Sequence, residues 1–160
     1  MPQDALGIAF AYLNRRERTE AEIRARLGNA GCAEGEIEDA IGELRTLGQI
    51  DDPRYARLFA QDRRELDGWG QERIARKLRE LGIEREAILE ALAGEPAAEL
   101  ERAVEVLERR FPDRLGELED ARVRDRAFGV LVRKGYQSEV AADAVRRWSA
   151  GTAEQPNCIG

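Results

Sequence analysis

The chain is 160 residues long, with 42% hydrophobic and 36% charged residues, a net charge of −6 and no histidine. The lack of histidine excludes Ser-His and Cys-His nucleophile pairs, histidine acid–base chemistry and histidine-containing zinc sites. The negative charge argues against a protein that coats nucleic acid by bulk electrostatics.

No apolar stretch approaches the roughly 18–20 residues that a membrane-spanning helix needs. The N-terminus has neither the basic start nor the apolar core of a signal peptide. We therefore expect a cytoplasmic protein that has no membrane partner. Cys32 and Cys158 are too few and too far apart for a disulfide framework or a metal knuckle. Cys32 is expected to be a small buried apolar residue and Cys158 a loose thiol, and we expect no metal and no cofactor.

The first unit is predicted to contain three helices. Apolar residues at helical spacing indicate a helix over residues 5–13. Thr19 and Glu22 form a capping-box pattern that opens a second helix. A third helix is indicated by Ile37, Ala40, Ile41 and Leu44.

The second unit restarts the pattern with Asp51 as an N-cap and Pro53 in the first helical turn. The apolar side of this helix is predicted to consist of Tyr55, Leu58, Phe59 and Leu66. Residues 67–70 break it, and an amphipathic helix ending at Gly82 follows. The third helix of the unit is indicated by Ala87, Ile88, Ala91 and Leu92.

The third unit begins with a helix through Leu100, Ala103, Val104 and Leu107, and is interrupted at Pro112. Two further helices are predicted, one through Val123 and Leu131 and one ending near Trp148. Residues 150–160 lack periodicity and are predicted to be a disordered tail.

Aligning the units gives a repeat with a period near 50 residues. A shift of 51 and then of 53 superimposes apolar positions and one glycine, in the columns Ile23/Ile74/Ala127, Leu27/Leu78/Leu131, Gly31/Gly82/Gly135, Ile37/Ile88/Ala141, Ala40/Ala91/Ala144 and Ile41/Leu92/Val145. We therefore predict an all-α fold, an elongated array of three tandem three-helix repeats at residues 1–49, 50–95 and 96–149. The shared glycine is expected just past its helix in a left-handed conformation.

The outward positions differ between the repeats, and the middle repeat is the most basic. Residues 54–79 hold eight Lys/Arg against four Asp/Glu, and residues 121–147 hold seven against three, whereas residues 80–120 hold five against thirteen. Patches of both signs fit a composite partner surface, although a normally solvated set of helix faces would give the same pattern.

Two groups of residues form a recognisable pattern. They are Tyr12-Leu13, Arg15-Arg16, Thr19, Glu22 and Leu27, then Asp51-Asp52, Arg54-Tyr55-Ala56, Gly68, Gly70, Ile74, Leu78 and Gly82-Ile83. With these residues the chain resembles the RecX family of RecA regulators, over about residues 5–149 and most strongly over 50–92. The third repeat departs from the others at Pro112, and at Val123, where the earlier repeats have Thr19 and Gly70.

The resemblance implies a non-enzymatic, monomeric protein that modulates recombination and DNA repair. Such a protein lies in the groove of the RecA–DNA filament and hinders filament growth, ATP turnover and strand exchange. Its partners would be RecA and the single- or double-stranded DNA within the filament. Because residues 80–120 are acidic, we expect weak binding to free DNA and recognition that rests largely on protein contacts.

The candidate contact residues are basic and lie on two successive helices. Arg73, Arg76 and Lys77 share one face of the amphipathic helix, because residues three and four apart are neighbours. Arg54, Arg57, Arg63 and Arg64 belong to the preceding helix, and all seven are assigned to phosphate or acidic side-chain contact. The alternative is that they form ion pairs with Glu72, Glu80 and Asp62 on a solvated face.

Trp69 lies between two glycines, where it either contacts a partner or fills a seam between helices; the second is the stronger expectation. Tyr55 and Phe59 are expected in the core.

Two other functions are compatible with a helical repeat protein. The three-helix units could be helix-turn-helix modules of a transcription factor, but no unit has a helix rich in both basic and amide residues. An enzyme would have to rely on carboxylate pairs, and those here have ordinary helical-surface spacing.

Overall fold

A computed structural model describes residues 4–112 and 120–150 of the chain. These residues form helices and connecting turns, without strands, which confirms the all-α prediction. The helices are α1 Ala5–Leu13, α2 Glu20–Asn29, α3 Glu34–Thr46, α4 Asp52–Asp62, α5 Gln71–Glu80, α6 Arg85–Leu92, α7 Pro96–Arg110, α8 Ala121–Lys134 and α9 Ser138–Ala150. A single π-helical turn, Arg63–Asp67, follows α4 directly.

The described residues divide into two compact units. The first consists of residues 4–60 and 75–92, and the second of residues 61–74, 93–112 and 120–150. The repeat boundaries after residues 49, 95 and 149 stay a prediction. The predicted tail and Cys158 lie outside the described residues, except for Ala150 at the end of α9.

Each unit has its own hydrophobic core. In the first unit α1, α2 and α3 pack against one another around Ala9, Ile23, Leu27, Ile41 and Leu44, all fully buried. In the second unit α7, α8 and α9 surround Ala103, Leu107, Ala127, Leu131 and Ala144. Trp148 closes this second core, with its ring centroid 5.6 Å from that of Phe111.

Two predicted helix starts are confirmed at the level of hydrogen bonds. The Glu22 amide donates to Thr19 Oγ1 at 3.3 Å, and the Thr19 amide donates to Glu22 Oε2 at 2.8 Å, which completes the capping box. The Arg54 amide donates to Asp51 Oδ1 at 3.0 Å, as expected of an aspartate N-cap.

The predicted apolar side of α4 is wrong for two of its residues. Leu58 is 45% exposed and Leu66 is 74% exposed, whereas the buried stripe of α4 consists of Ala56 and Ala60. Small residues bury this stripe because they let the backbone approach its neighbours closely, so the bulky leucines face outward. Leu66 also lies in the π-helical turn, where the wider spacing breaks the 3.6-residue periodicity.

The predictions that Tyr55, Phe59 and Cys32 are buried hold in part. Tyr55 and Phe59 are half-buried rather than buried, and their rings stack with centroids 6.2 Å apart. Cys32 is also half-buried, packed against the first core.

The repeated glycine closes a helix in the same way at all three of its positions. Gly31, Gly82 and Gly135 have φ values of 86°, 80° and 94°, which confirms the predicted left-handed conformation. The next residue's amide then reaches back to the column leucine, from Cys32 to Leu27, from Ile83 to Leu78 and from Tyr136 to Leu131, each at 3.1 Å. This bond defines the Schellman ending of a helix.

The surroundings of these glycines differ, and this difference predicts unequal costs of substitution. A Cβ on Gly82 would lie 2.3 Å from the Ala21 Cβ, whereas a Cβ on Gly31 meets nothing within 4 Å. We expect Gly82→Val to destabilise the first unit by about 2 kcal/mol more than Gly31→Val, because both share the backbone strain but only Gly82 adds overpacking. Urea unfolding followed by circular dichroism measures this difference, and equal losses would show that the contact at Gly82 is unimportant.

No helix among the described residues is long and apolar enough to cross a membrane.

Candidate functional site

The loop Gly68–Gly70 joins the π-helical turn to α5 and lies against the C-terminal turn of α8. The Gly70 amide donates to the Lys134 carbonyl at 2.8 Å, and the Glu72 amide donates to the Gly135 carbonyl at 3.0 Å. The start of α5 is therefore hydrogen-bonded to the end of α8. We call this backbone contact the α5–α8 seam.

Glycine is needed on both sides of the seam. A Cβ on Gly70 would lie 2.5 Å from the carbonyl carbon and oxygen of Gly135, and a Cβ on Gly135 would lie 2.3 Å from the Arg73 Cβ. Real Cβ atoms do not approach other heavy atoms this closely, so any side chain would separate the two backbones. The seam therefore fixes where the first turn of α5, including Arg73, lies in the second unit.

Polar side chains support the same seam. Lys134 Nζ donates to the Asp67 carbonyl at 2.7 Å, and the Tyr136 hydroxyl donates to the Gly68 carbonyl at 3.1 Å. The Gln71 amide, in the first turn of α5, donates to Glu99 Oε1 at 2.9 Å. Tyr136 is 1% exposed, and burial raises the pKa of its hydroxyl well above the ordinary range, so the phenol remains a neutral donor.

The ring of Trp69 makes cation–π contacts with two arginines. The Arg73 guanidinium carbon lies 4.1 Å from the Trp69 ring centroid, and that of Arg63 lies 5.7 Å from it. Arg73 Nη1 also donates to the Arg133 carbonyl at 3.4 Å. Trp69 is half-buried. We call Arg63, Trp69 and Arg73 the Arg–Trp–Arg cluster.

The candidate residues of the first unit have different surroundings. Lys77 lies 3.5 Å from Glu80, and Arg54 lies 3.5 Å from Glu17. Arg57 and Arg76 are exposed and form no ion pair with a carboxylate of residues 4–112 or 120–150. The Lys77–Glu80 and Arg54–Glu17 ion pairs are weak, because an exposed pair contributes only about 0.2–1 kcal/mol in water.

The structure thus brings some of the predicted residues together and not others. Arg63, Trp69 and Arg73 form one cluster in the second unit, and Arg63 also pairs with Asp67. Arg76 and Lys77 continue the face of α5 that Arg73 begins. Arg64 is half-buried, and its surroundings are described below.

A second seam repeats the first within the other unit. Thr19 Oγ1 donates to the Leu81 carbonyl at 2.7 Å, and the Glu20 amide donates to Asp52 Oδ1 at 3.0 Å. The start of α2 therefore lies against the end of α5, next to Gly82, as the start of α5 lies against the end of α8. Burial raises the pKa of the Asp52 carboxyl, and the Glu20 amide opposes that rise.

A cleft of about 550 Å³ opens beside this second seam. Its lining includes Glu20, Arg24 and Arg45, and both arginines are paired with Glu20. Because these charges are mutually satisfied, they offer no assembled site for a charged ligand. Among the described residues no group of three or more His, Cys, Asp or Glu side chains is placed to hold a metal ion.

The polar side chains that support the α5–α8 seam were not predicted from the sequence. Glu99, Lys134 and Tyr136 are 28 to 68 residues away from the loop atoms that they bond. The only signal was the position of Tyr136, which directly follows the repeated glycine.

Family models match both of the first two repeats. The model of the RecX first three-helix domain matches residues 5–44, and the model of the RecX second three-helix domain matches residues 51–92. Regulatory protein RecX of Mycobacterium avium strain 104 is 30% identical over 144 residues, which cover 89% of this chain and 83% of that protein. Regulatory protein RecX of Mycobacterium leprae strain Br4923 is 33% identical over 139 residues, covering 86% and 81%.

Solved structures agree with these matches. The crystal structure of RecX from Lactobacillus salivarius superimposes with a TM-score of 0.80 over 93% of this chain and 97% of that chain; at 20% identity this likeness concerns the fold alone. A second crystal structure of a regulatory protein RecX is 28% identical, with a TM-score of 0.69 over 87% of this chain and 68% of that one.

Proposed function

Because the chain belongs to the RecX family, we propose that it is a non-enzymatic regulator of the RecA recombinase. It binds in the groove of the RecA–DNA filament and inhibits filament growth, ATP hydrolysis and strand exchange. By this activity it modulates recombination and DNA repair in the cytoplasm.

The family match over both three-helix domains is the observation that carries this proposal. It shows the RecX family, and the regulatory role of that family supports RecA as the partner. The geometry adds a surface of suitable chemistry. The face of α5 presents exposed Arg76 and Lys77, and the Arg–Trp–Arg cluster lies at its N-terminal end.

Guanidinium groups of this kind bind carboxylates and phosphates alike, by charge-assisted hydrogen bonds. A filament groove offers both, since RecA protomers and DNA phosphates line it together. The net charge of −6 opposes binding to bare DNA at long range. Recognition therefore rests mainly on RecA, and the basic residues add local contacts once the protein is in the groove.

The test is RecA-catalysed ATP hydrolysis on single-stranded DNA, with the full chain added after filaments have formed. We expect hydrolysis to fall with dose, at amounts no greater than one chain per RecA protomer. Binding to the same DNA without RecA, followed by fluorescence anisotropy, should be weaker than binding to the filament.

Undiminished hydrolysis at a stoichiometric amount of the chain would contradict the proposal. Sequence-specific binding to duplex DNA, with no response from RecA, would instead support the helix-turn-helix transcription factor considered above.

A further inference from the structure

Arg64 and Arg102 are two half-buried arginines of the second unit. The pKa of Arg64 is lowered, first by burial and then by the positive charge of Arg102. Arg102 Nη2 lies 2.9 Å from Glu99 Oε2, so Glu99 forms an ion pair with Arg102. Among the described residues, the neutral Tyr136 hydroxyl also lies near Arg64.

Glu99 has only part of its hydrogen-bonding capacity left for these arginines. It is 6% exposed, and its Oε1 accepts the Gln71 amide at the start of α5. Among residues 4–112 and 120–150, one carboxylate therefore faces two guanidinium groups and the N-terminus of α5, which itself carries partial positive charge. The cluster has an excess of positive charge in a half-buried place, where an unpaired charge is costly.

The hydrogen-bonding groups of the two arginines are also incompletely used. Nε of Arg64 and Nε of Arg102 are both buried, and neither has a hydrogen-bond partner within residues 4–112 or 120–150. Buried polar groups in folded proteins are nearly always paired, so these two orphan donors require an explanation. Arg64 moreover lies in the π-helical turn Arg63–Asp67, and single π-helical turns inside helices occur often at functional sites.

We propose that the Arg64–Arg102 pair is a receiving site for a carboxylate side chain of a partner protein. An Asp or Glu side chain brings one negative charge on a short stem, and its two oxygens match the parallel N–H donors of a guanidinium. It brings a negative charge to Arg64, which forms no ion pair with a carboxylate of residues 4–112 or 120–150.

A nucleic-acid strand fits this site less well. Helix α7 has further carboxylates, among them Glu105, whose negative charge helps to raise the pKa of the Tyr136 hydroxyl. A strand would bring several phosphates near these carboxylates, whereas a single side chain brings one charge. The two arginines are also half-buried, and a projecting side chain reaches them more easily than a phosphate within a strand backbone.

The proposal rests on the proposed function only in assuming a protein partner, so its chemistry is testable without RecA. The probe is a blocked tetraglutamate peptide, titrated into the full chain while the arginine Nε–H signals are followed by ¹H–¹⁵N NMR. Blocked tetraglutamine is the neutral control, and Arg64→Gln and Arg102→Gln assign the two signals. We expect tetraglutamate to shift both signals saturably and tetraglutamine to leave them in place.

Arg64→Gln should weaken tetraglutamate binding about tenfold, since it removes one charge-assisted pair. The matched control is Arg109→Gln, which removes an exposed arginine of α7 and should leave binding unchanged.

The melting temperature of Arg64→Gln should equal or exceed that of the native chain, because the change relieves the repulsion between the two guanidinium groups. A purely structural arginine would show the opposite shift.

Three results would overturn the proposal. The first is the absence of a saturable shift in the native chain, or an equal shift with tetraglutamine. The second is a stronger effect from a short single-stranded oligonucleotide than from tetraglutamate, which would make this a nucleic-acid site. The third is a melting temperature for Arg64→Gln clearly below that of Arg109→Gln. Failure of RecA inhibition, with peptide binding intact, would contradict the proposed function alone.

Discussion

Gly135→Ala is expected to lower the free energy of unfolding of the second unit by at least about 3 kcal/mol. The residue has φ +94°, a conformation that costs any side chain about 1–3 kcal/mol. The new Cβ would also lie 2.3 Å from the Arg73 Cβ and 2.5 Å from the Arg73 backbone nitrogen. Because backbone atoms cannot rotate away as a side-chain tip can, α5 would have to move off the end of α8.

Gly70→Ala isolates the contact from the backbone strain, since Gly70 is not among the positive-φ glycines. Its Cβ would lie 2.5 Å from the Gly135 carbonyl and 2.6 Å from the Tyr136 nitrogen. We expect a loss of about 2 kcal/mol from overpacking alone. The double variant should lose less than the sum of the two single losses, because either change opens the same seam.

Gly129→Ala is the matched control, because it makes the same substitution within α8. Its Cβ would meet only the mobile guanidinium end of Arg133, at 3.1 Å, and alanine favours a helix interior. Trp69 and Trp148 both belong to the second unit, so urea unfolding followed by tryptophan fluorescence reports this unit. Losses at Gly135 and Gly70 no larger than that at Gly129 would show that the seam does not stabilise the unit.

The helix-ending role of the repeated glycine was predictable from the sequence, but its close contacts with other helices were not. A left-handed helix ending strongly favours glycine, so a glycine recurring at Gly31, Gly82 and Gly135 indicates that ending in each repeat. The contacts at Gly82 and Gly135 involve residues about 60 positions earlier, and apolar periodicity does not encode which backbones approach each other. Gly31, which has open space around it, shows that the ending alone suffices to select glycine.

Which side chains are buried could be predicted from the sequence only in part. Apolar periodicity gave no reason to expect Glu99, in the first turn of α7, to be buried, yet it is 6% exposed and accepts the Gln71 amide. Leu58 and Leu66 looked like core residues, yet α4 packs through alanines. Burial depends on what lies opposite a residue, and a single sequence does not reveal that.

The basic face of α5 was predictable because residues three and four apart must be neighbours on any helix. The stacking of Arg73 on Trp69 was not, because it depends on the path of the loop before α5. That loop is held by the seam, so the repeated architecture and the candidate surface are physically connected. A change that opens the seam would also displace Arg73 and Trp69.

Changing Arg73, Arg76 and Lys77 together to alanine is expected to weaken inhibition of RecA at least tenfold. Each charge-assisted contact with a carboxylate or phosphate contributes roughly 0.5–1.5 kcal/mol at a partly exposed interface, and tenfold corresponds to about 1.4 kcal/mol. Stability should fall by only about 1 kcal/mol, chiefly through loss of the Arg73–Trp69 stack. The measurement is the concentration of the chain that halves ATP hydrolysis by RecA filaments.

The matched control removes three other exposed arginines of the described chain, Arg109, Arg122 and Arg126, and so changes the net charge equally. Equal weakening by the two triple variants would show that overall charge, not the face of α5, governs inhibition. The double change Arg76→Ala and Lys77→Ala separates binding from stability, because it leaves the Trp69 stack and the seam intact. Partial loss of inhibition at native stability would assign a direct contact to this face. Undiminished inhibition by the triple variant would move the contact surface elsewhere, and the Arg64–Arg102 pair would then be the next to test.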